Sequence, residues 1–126
     1  MHRVLVVEDE PELLQALMVR LTACGYACSA ARNGIEGLAK AQEERPDLIV
    51  ADLLMPEMGG AEMIRRLAAE QATASIPVIV LTAVPLKQAG HVQAARVLPK
   101  PFDSQALVDA MREILNPNAA GGPSNG

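Results

Sequence analysis

The sequence predicts an α/β fold, in which helices cover both faces of one parallel sheet. Residues 4–7, 48–51 and 78–81 form continuous apolar runs rich in β-branched side chains, as is typical of strands buried on both faces. Segments with helical spacing of apolar residues lie between these runs, and such alternation builds right-handed βαβ units and a doubly wound sheet. Because the chain has 126 residues and half are hydrophobic, we expect one domain.

Two weaker runs complete the predicted sheet. Residues 26–30 and residues 96–98 are shorter or less apolar than the other three runs, so they suit positions towards the edges of a sheet. The predicted sheet therefore has five strands.

Four segments carry the apolar periodicity of helices. The first covers residues 11–24, with Pro11 at its start and Gly25 as its C-terminal stop. The others cover about residues 34–43, residues 60–69 and a stretch from the cap-like Asp103 or Ser104 to residue 115. The side chains expected to face the core are Leu13, Leu14, Leu17, Met18 and Leu21, then Ile35, Leu38 and Ala41, then Met63, Ile64 and Leu67, and finally Leu107, Val108, Met111, Ile114 and Leu115.

Two segments carry weaker signals. In residues 84–95, Pro85 and Gly90 interrupt any helix, so we expect a short or irregular fourth helix there. After Asn116 no apolar side chain is larger than alanine, and such a segment cannot offset the entropy lost on ordering. We therefore expect a domain over residues 1–116 and a disordered tail or linker over residues 117–126.

Composition excludes several classes of function. A net charge of −4 and a pI near 5.1 argue against binding to nucleic acid or to an anionic membrane. Cys24 and Cys28 lack the spacing of a zinc or redox site, so we expect buried, reduced thiols and a cytoplasmic protein. The apolar run near the start has only four residues, residues 4–7, which is too short for a signal peptide or a membrane span.

Polar residues follow the predicted strands at one end of the sheet. Glu8 and Asp9 follow the first strand, Asp52 ends the third, Thr82 ends the fourth, and Lys100 follows the fifth. Ligands of open parallel sheets bind at the carboxyl ends of the strands, so we expect these five side chains to converge.

The combination of residue types predicts phosphoryl transfer. Three neighbouring carboxylates repel one another unless a cation relieves the repulsion, and a set of oxygen ligands favours Mg²⁺ with coordination positions left for phosphate. Asp52 would be the nucleophile, Mg²⁺ and Lys100 would neutralise the transferred group, and Thr82 would hydrogen-bond it. We expect Glu10 or Glu12 only to cap the first helix and to complement its dipole.

Residues 6–10, 52–60, 81–83 and 100–102 (VVEDE, DLLMPEMGG, LTA and KPF) resemble the signature of response-regulator receiver domains, and the resemblance covers about residues 3–115. It implies a flavodoxin-like fold with sheet order 2-1-3-4-5 and a signalling switch rather than an enzyme. It also implies a cis bond between Lys100 and Pro101, and a sensor histidine kinase or a histidine phosphotransfer protein as phosphodonor.

The resemblance assigns a role to each site residue. Asp52 would be the phosphoacceptor, Glu8 and Asp9 the acidic pair, Thr82 the switch hydroxyl, and Lys100 the lysine of the family's site. The metal ligands would be Glu8, Asp9, Asp52 and the backbone carbonyl of Leu54. The switch and output face, open to an output protein or a second copy, would comprise Thr82, Ala83, Val84, Val97, Lys100 and Pro101.

Two departures from the family pattern leave an alternative open. Relatives usually carry Tyr or Phe where this chain has Val97, and the segment from Thr82 to Lys100 is about one helical turn shorter than expected by analogy. The main alternative is therefore an atypical receiver that acts as a docking module independently of phosphorylation. A haloacid-dehalogenase-like phosphatase is disfavoured, because that class needs a second Asp where Leu54 stands.

Overall fold

The fold is one five-stranded parallel sheet with helices on both faces, as the sequence predicts. The computed structural model describes residues 1–55, 57–85 and 92–116. Its strands are β1 (Arg3–Val7), β2 (Ala27–Ala31), β3 (Leu48–Asp52), β4 (Val78–Thr82) and β5 (Arg96–Pro99), in the order β2-β1-β3-β4-β5. Its helices in the described residues are α1 (Pro11–Ala23), α2 (Gly34–Glu44), α3 (Gly60–Ala69) and α4 (Ser104–Leu115).

The register of the sheet aligns the carboxyl ends of four strands. Val7 of β1 pairs with Ala51 of β3, Asp52 pairs with Leu81 of β4, and Thr82 pairs with Pro99 of β5. The residues that follow or end these strands are therefore neighbours at one edge of the sheet.

Successive side chains along the strands alternate between two separate hydrophobic cores. Val4 and Val6 of β1 face α1 and α4, whereas Leu5 and Val7 face α2 and α3. The central strands β3 and β4 are buried throughout, which explains their unbroken apolar sequence. Helix α3 buries Met63, Ile64 and Leu67, the residues that the sequence predicts to face the core.

The prediction that Ile35 faces the core is wrong, because its side chain is 53% exposed. Helix α2 buries Gly34, Gly37 and Ala41 instead. The cause is close packing: a Cβ on Gly37 would lie 2.9 Å from the side chains of Val7 and Met63. A stripe of small residues thus lets α2 approach the sheet, and the larger Ile35 is turned away.

The ends of the helices show the expected local signals. Gly25 has a φ of 97° just after α1, a conformation that glycine adopts without steric penalty. Asp103 accepts a hydrogen bond from the backbone N–H of Gln105 at 2.9 Å and so caps α4. Cys24 and Cys28 are free thiols, but each is only partly buried rather than fully buried as expected.

The expected irregular helix over residues 84–95 falls largely outside the described residues. Residues 84, 85 and 92–95 are described, and none of these is helical. The expected tail over residues 117–126 also lies outside the described part of the chain. Within the described residues, no helix is long and apolar enough to span a membrane.

Candidate functional site

Three carboxylates meet at the carboxyl edge of the sheet. One oxygen from each of Glu8, Asp9 and Asp52 lies within 4.8 Å of the others. Glu8 follows β1 and Asp52 ends the adjacent β3, so the pairing of these two strands brings the carboxylates together. Glu8 is 0% exposed and Asp52 is 6% exposed, so water screens their mutual repulsion poorly.

Lys100 provides the cation that faces this cluster. Its Nζ lies 3.1 Å from Oδ2 of Asp52 and 3.3 Å from Oε1 of Glu8. The backbone N–H of Lys100 donates to the carbonyl of Thr82 at 2.7 Å, which anchors the start of the loop after β5. The bond between Lys100 and Pro101 is cis, as the resemblance implies.

Burial and neighbouring charges shift the pKa values of Glu8 and Lys100. Burial raises the pKa of Glu8 from its ordinary 4.5 to about 7; the charge of Asp52 adds to the shift, while the N–H of Glu10 and the ammonium of Lys100 oppose it. For Lys100, burial acts to lower the pKa, but the hydrogen bond and charge of Asp52, together with Glu8, outweigh it and raise the pKa above its usual value. A cation beside these carboxylates would favour the ionised form of Glu8.

Thr82 lies at the end of β4, between β3, which ends at Asp52, and β5, which Lys100 follows. Its side chain is fully buried, and its Oγ1 accepts a hydrogen bond from the N–H of Val84 at 3.1 Å. Because the hydroxyl accepts this bond, its own proton stays available to donate elsewhere.

Leu54 and Asp52 are linked through the loop that follows β3. The N–H of Leu54 donates to Oδ1 of Asp52 at 3.4 Å, whereas the Leu54 side chain is 58% exposed. Helix α3 packs closely against this loop. A Cβ on Gly60 would lie 2.4 Å from the carbonyl oxygen of Asp52. Only glycine therefore permits the observed approach of α3 to the end of β3.

The structure divides the predicted switch face into two groups. Ala83, Lys100 and Pro101 line a groove against α1, together with Phe102. Val84 and Val97 instead pack against the core between the sheet and the helices α2 and α3.

Glu10 belongs to the site, which the sequence pattern did not predict. Its Oε1 lies 3.4 Å from Nζ of Lys100, and its side chain is 64% exposed. Glu10 is the N-cap residue of α1, yet its side chain makes no capping hydrogen bond, so the expectation that it only caps the helix is wrong. Its position directly after Glu8 and Asp9 was the available signal, but helix capping explains that position equally well.

The arrangement fits a divalent cation with a preference for oxygen ligands. When ionised, Glu8, Asp9 and Asp52 carry three negative charges against the single positive charge of Lys100. Such an excess is stable only if the groups take up protons or a cation, and carboxylate oxygens suit Mg²⁺. Glu8, Asp9 and Asp52 are the described side chains that would hold it.

Comparisons with known proteins agree with this fold. The chain is 34% identical over 119 residues to Protein PilH from Pseudomonas aeruginosa, covering 91% of this chain and 98% of PilH. It is 34% identical over 124 residues to the DNA-binding dual master transcriptional regulator RpaA from Synechocystis, covering 91% of this chain but spanning only 49% of RpaA.

A solved structure is also similar to this chain. The response regulator protein TrrA from Thermotoga maritima, crystallised in complex with Mg(2+)-BeF, superimposes with a TM-score of 0.83 at 29% identity, covering 91% of this chain and 100% of TrrA. The family model for the response regulator receiver domain matches residues 4–112. The chain therefore belongs to the response regulator receiver domain family.

Proposed function

We propose that this receiver domain is a phosphorylation switch, in which Asp52 accepts a phosphoryl group in the presence of Mg²⁺. Receiver domains work with histidine kinases and output domains in two-component signalling. The observation that carries the proposal is the 3.1 Å contact between Lys100 and Asp52 inside a cluster of three carboxylates. The donor would be the phosphohistidine of a sensor histidine kinase or of a histidine phosphotransfer protein.

In the proposed step, a carboxylate oxygen of Asp52 attacks the phosphorus of the donor. The bond between phosphorus and the donor's imidazole nitrogen breaks, and the electron pair stays on that nitrogen. Lys100, already beside Asp52, would then neutralise an oxygen of the transferred group. Glu8, Asp9, Asp52 and the carbonyl of Leu54 would hold Mg²⁺, which would supply positive charge to offset the carboxylates and the phosphoryl oxygens.

Thr82 would couple this step to a change of conformation. Its hydroxyl accepts from the N–H of Val84, and by donating its proton to a phosphoryl oxygen it would pull the segment that begins at Ala83. Phosphorylation would thus bias an existing equilibrium between two conformations. Val97 offers no aromatic ring to move with Thr82, so the shift would pass through backbone and packing changes.

Several consequences belong to the same proposal. The switch would occupy residues 1–116, and residues 117–126 would form a tail or a linker. It would act in the cytoplasm, where the ATP that charges a histidine kinase is found, and its output would be a partner protein or a second copy of the chain. The structure of TrrA with Mg(2+)-BeF supports the proposed use of Mg²⁺ by this family.

A docking module is the second candidate function, and Val97 is the observation that favours it. The Val97 side chain is half-buried in the core beside α2 and α3. It therefore cannot transmit a movement of Thr82 to the protein surface. The two functions differ in one observable. Under the docking function, amide NMR shifts caused by acetyl phosphate stay within the loops around Asp52, whereas a switch also shifts β5 and the groove against α1.

Phosphorylation of the chain should require Asp52. Incubation with Mg²⁺ and acetyl phosphate should add the mass of one phosphoryl group to the parent and none to Asp52→Asn, because the amide is not a nucleophile of this kind. Intact mass spectrometry makes the comparison. Asp109→Asn, which changes an exposed Asp of α4, is the control and should gain the group. A gain by Asp52→Asn would contradict the proposal.

Magnesium should stabilise the folded chain, and the effect should grow with pH. Binding to the folded state alone adds about 1–3 kcal/mol at saturation, and Asp9→Ala should abolish this gain while Glu43→Ala, at an exposed site, keeps it. Folding raises the pKa of Glu8 from its ordinary 4.5 to about 7. In the metal-free protein, protonation of Glu8 therefore stabilises the folded state fully below pH 4.5, and this contribution is lost as the pH rises through about 7.

The metal must displace the Glu8 proton at pH 6 but not at pH 8, so its affinity should be about tenfold weaker at pH 6. Thermal melts at both pH values, with and without Mg²⁺, measure the effect. A melting temperature indifferent to millimolar Mg²⁺ at pH 8 would refute the metal site.

The phosphorylated state should be long-lived. Leu54 and Val84, two residues after Asp52 and Thr82, can neither hydrogen-bond an attacking water nor accept its proton. By resemblance, polar groups at these places orient that water, and one such group is worth about tenfold or more in rate. Leu54→Asn with Val84→Glu should therefore shorten the lifetime by about that factor, whereas Leu54→Met with Val84→Ile should not. Decay of phosphoprotein after donor removal is measured, and equal decay in all three proteins would show that these two side chains do not control the lifetime.

A further inference from the structure

Glu10 contacts the lysine of the site without belonging to the carboxylate cluster. An ammonium group has three N–H donors, and Nζ of Lys100 faces three carboxylates: Asp52 at 3.1 Å, Glu8 at 3.3 Å and Glu10 at 3.4 Å. The donors of Lys100 and the acceptors around it are thus equal in number. Among the described residues, these contacts leave no donor of Lys100 for an incoming group.

The three carboxylates differ in how easily they release Lys100. The Glu8 side chain is 0% exposed and that of Asp52 is 8% exposed, so neither gains water in exchange for a lost bond. The Glu10 side chain is 64% exposed, and water replaces its bond at low cost. Among the three acceptors, Glu10 is the one that an arriving phosphoryl oxygen would displace.

We propose that Glu10 is a positioning residue that occupies one donor of Lys100 before phosphorylation and so slows entry of the phosphoryl group at Asp52. This inference rests on the proposed phosphorylation of Asp52. Its chemistry is competition between a glutamate carboxylate and a phosphoryl oxygen for one N–H of Lys100. Once the phosphoryl group is present, Glu10 turns to solvent at the start of α1.

The chain offers a matched control two residues away. Glu12 lies in the first turn of α1, is exposed, and has no ion pair with Lys100 among the described residues. Glu12→Gln therefore removes the same charge from the same helix end as Glu10→Gln without touching Lys100. A long-range effect of charge on an anionic donor would appear in both variants, whereas competition for Lys100 would appear only in Glu10→Gln.

The experiment measures the phosphorylation rate constant with acetyl phosphate and saturating Mg²⁺, for the parent, Glu10→Gln, Glu10→Ala and Glu12→Gln. Glu10→Gln and Glu10→Ala should react about two- to fivefold faster than the parent, the factor that an exposed ion pair is worth. The gain should shrink but remain measurable at about 0.5 M salt, which screens separated charges more strongly than a pair in contact. Glu12→Gln should match the parent at that salt concentration.

Thermal stability distinguishes this positioning role from a purely structural one. The melting temperature of Glu10→Gln should lie only slightly below that of the parent, because the variant loses one exposed ion pair and no capping bond. A lower melting temperature with an unchanged rate would show a purely structural role and overturn the inference. Equal rates in the parent and both Glu10 variants, or an equal gain in Glu12→Gln at high salt, would also overturn it while leaving the proposed function intact. A parent that gains no phosphoryl group would overturn both.

Discussion

The contact of one largely buried ammonium with two buried carboxylates is the interaction on which this site depends. Lys100, with a side chain 15% exposed, reaches Asp52 and Glu8 across 48 and 92 residues of sequence. Charges in such a place are costly unless paired, and one ammonium cannot neutralise three carboxylates. Protons or a divalent cation would relieve the remaining negative charge. Under the proposed function, the same lysine would contact the phosphoryl oxygens.

The sheet explains why these groups meet. Parallel strands in register end at one edge, so Asp52, Thr82 and Lys100 need only follow their strands by zero or one residue to converge. The helix after Asp52 is held close because Gly60 leaves room for the carbonyl of Asp52. Backbone pairing of the strands thus places the site residues at one edge of the sheet. The side chains of these residues supply the charges of the site.

Much of the fold could be predicted from sequence, because strands buried on both faces are continuously apolar and each of the four described helices shows a clear apolar spacing. The failures have physical causes. Ile35 lies at a helical spacing that suits the core, but tight packing at Gly37 selected a face of small residues. The convergence of the acids with Lys100 followed from strand ends, whereas the direction of the Glu10 side chain depends on a lysine 90 residues away, which no local pattern encodes.

Lys100 is proposed to neutralise an oxygen of the phosphoryl group on Asp52. Beryllofluoride, a stand-in for that group, allows this role to be measured. Its affinity is measured by NMR titration in Mg²⁺ for the parent and for Lys100→Ala, with circular dichroism to confirm that both are folded. We predict at least about a tenfold loss of affinity in Lys100→Ala, because the variant lacks an ammonium to hydrogen-bond beryllofluoride, and a hydrogen bond to a charged group is worth about 1.5–3 kcal/mol. Equal affinity in two folded proteins would contradict this role of Lys100.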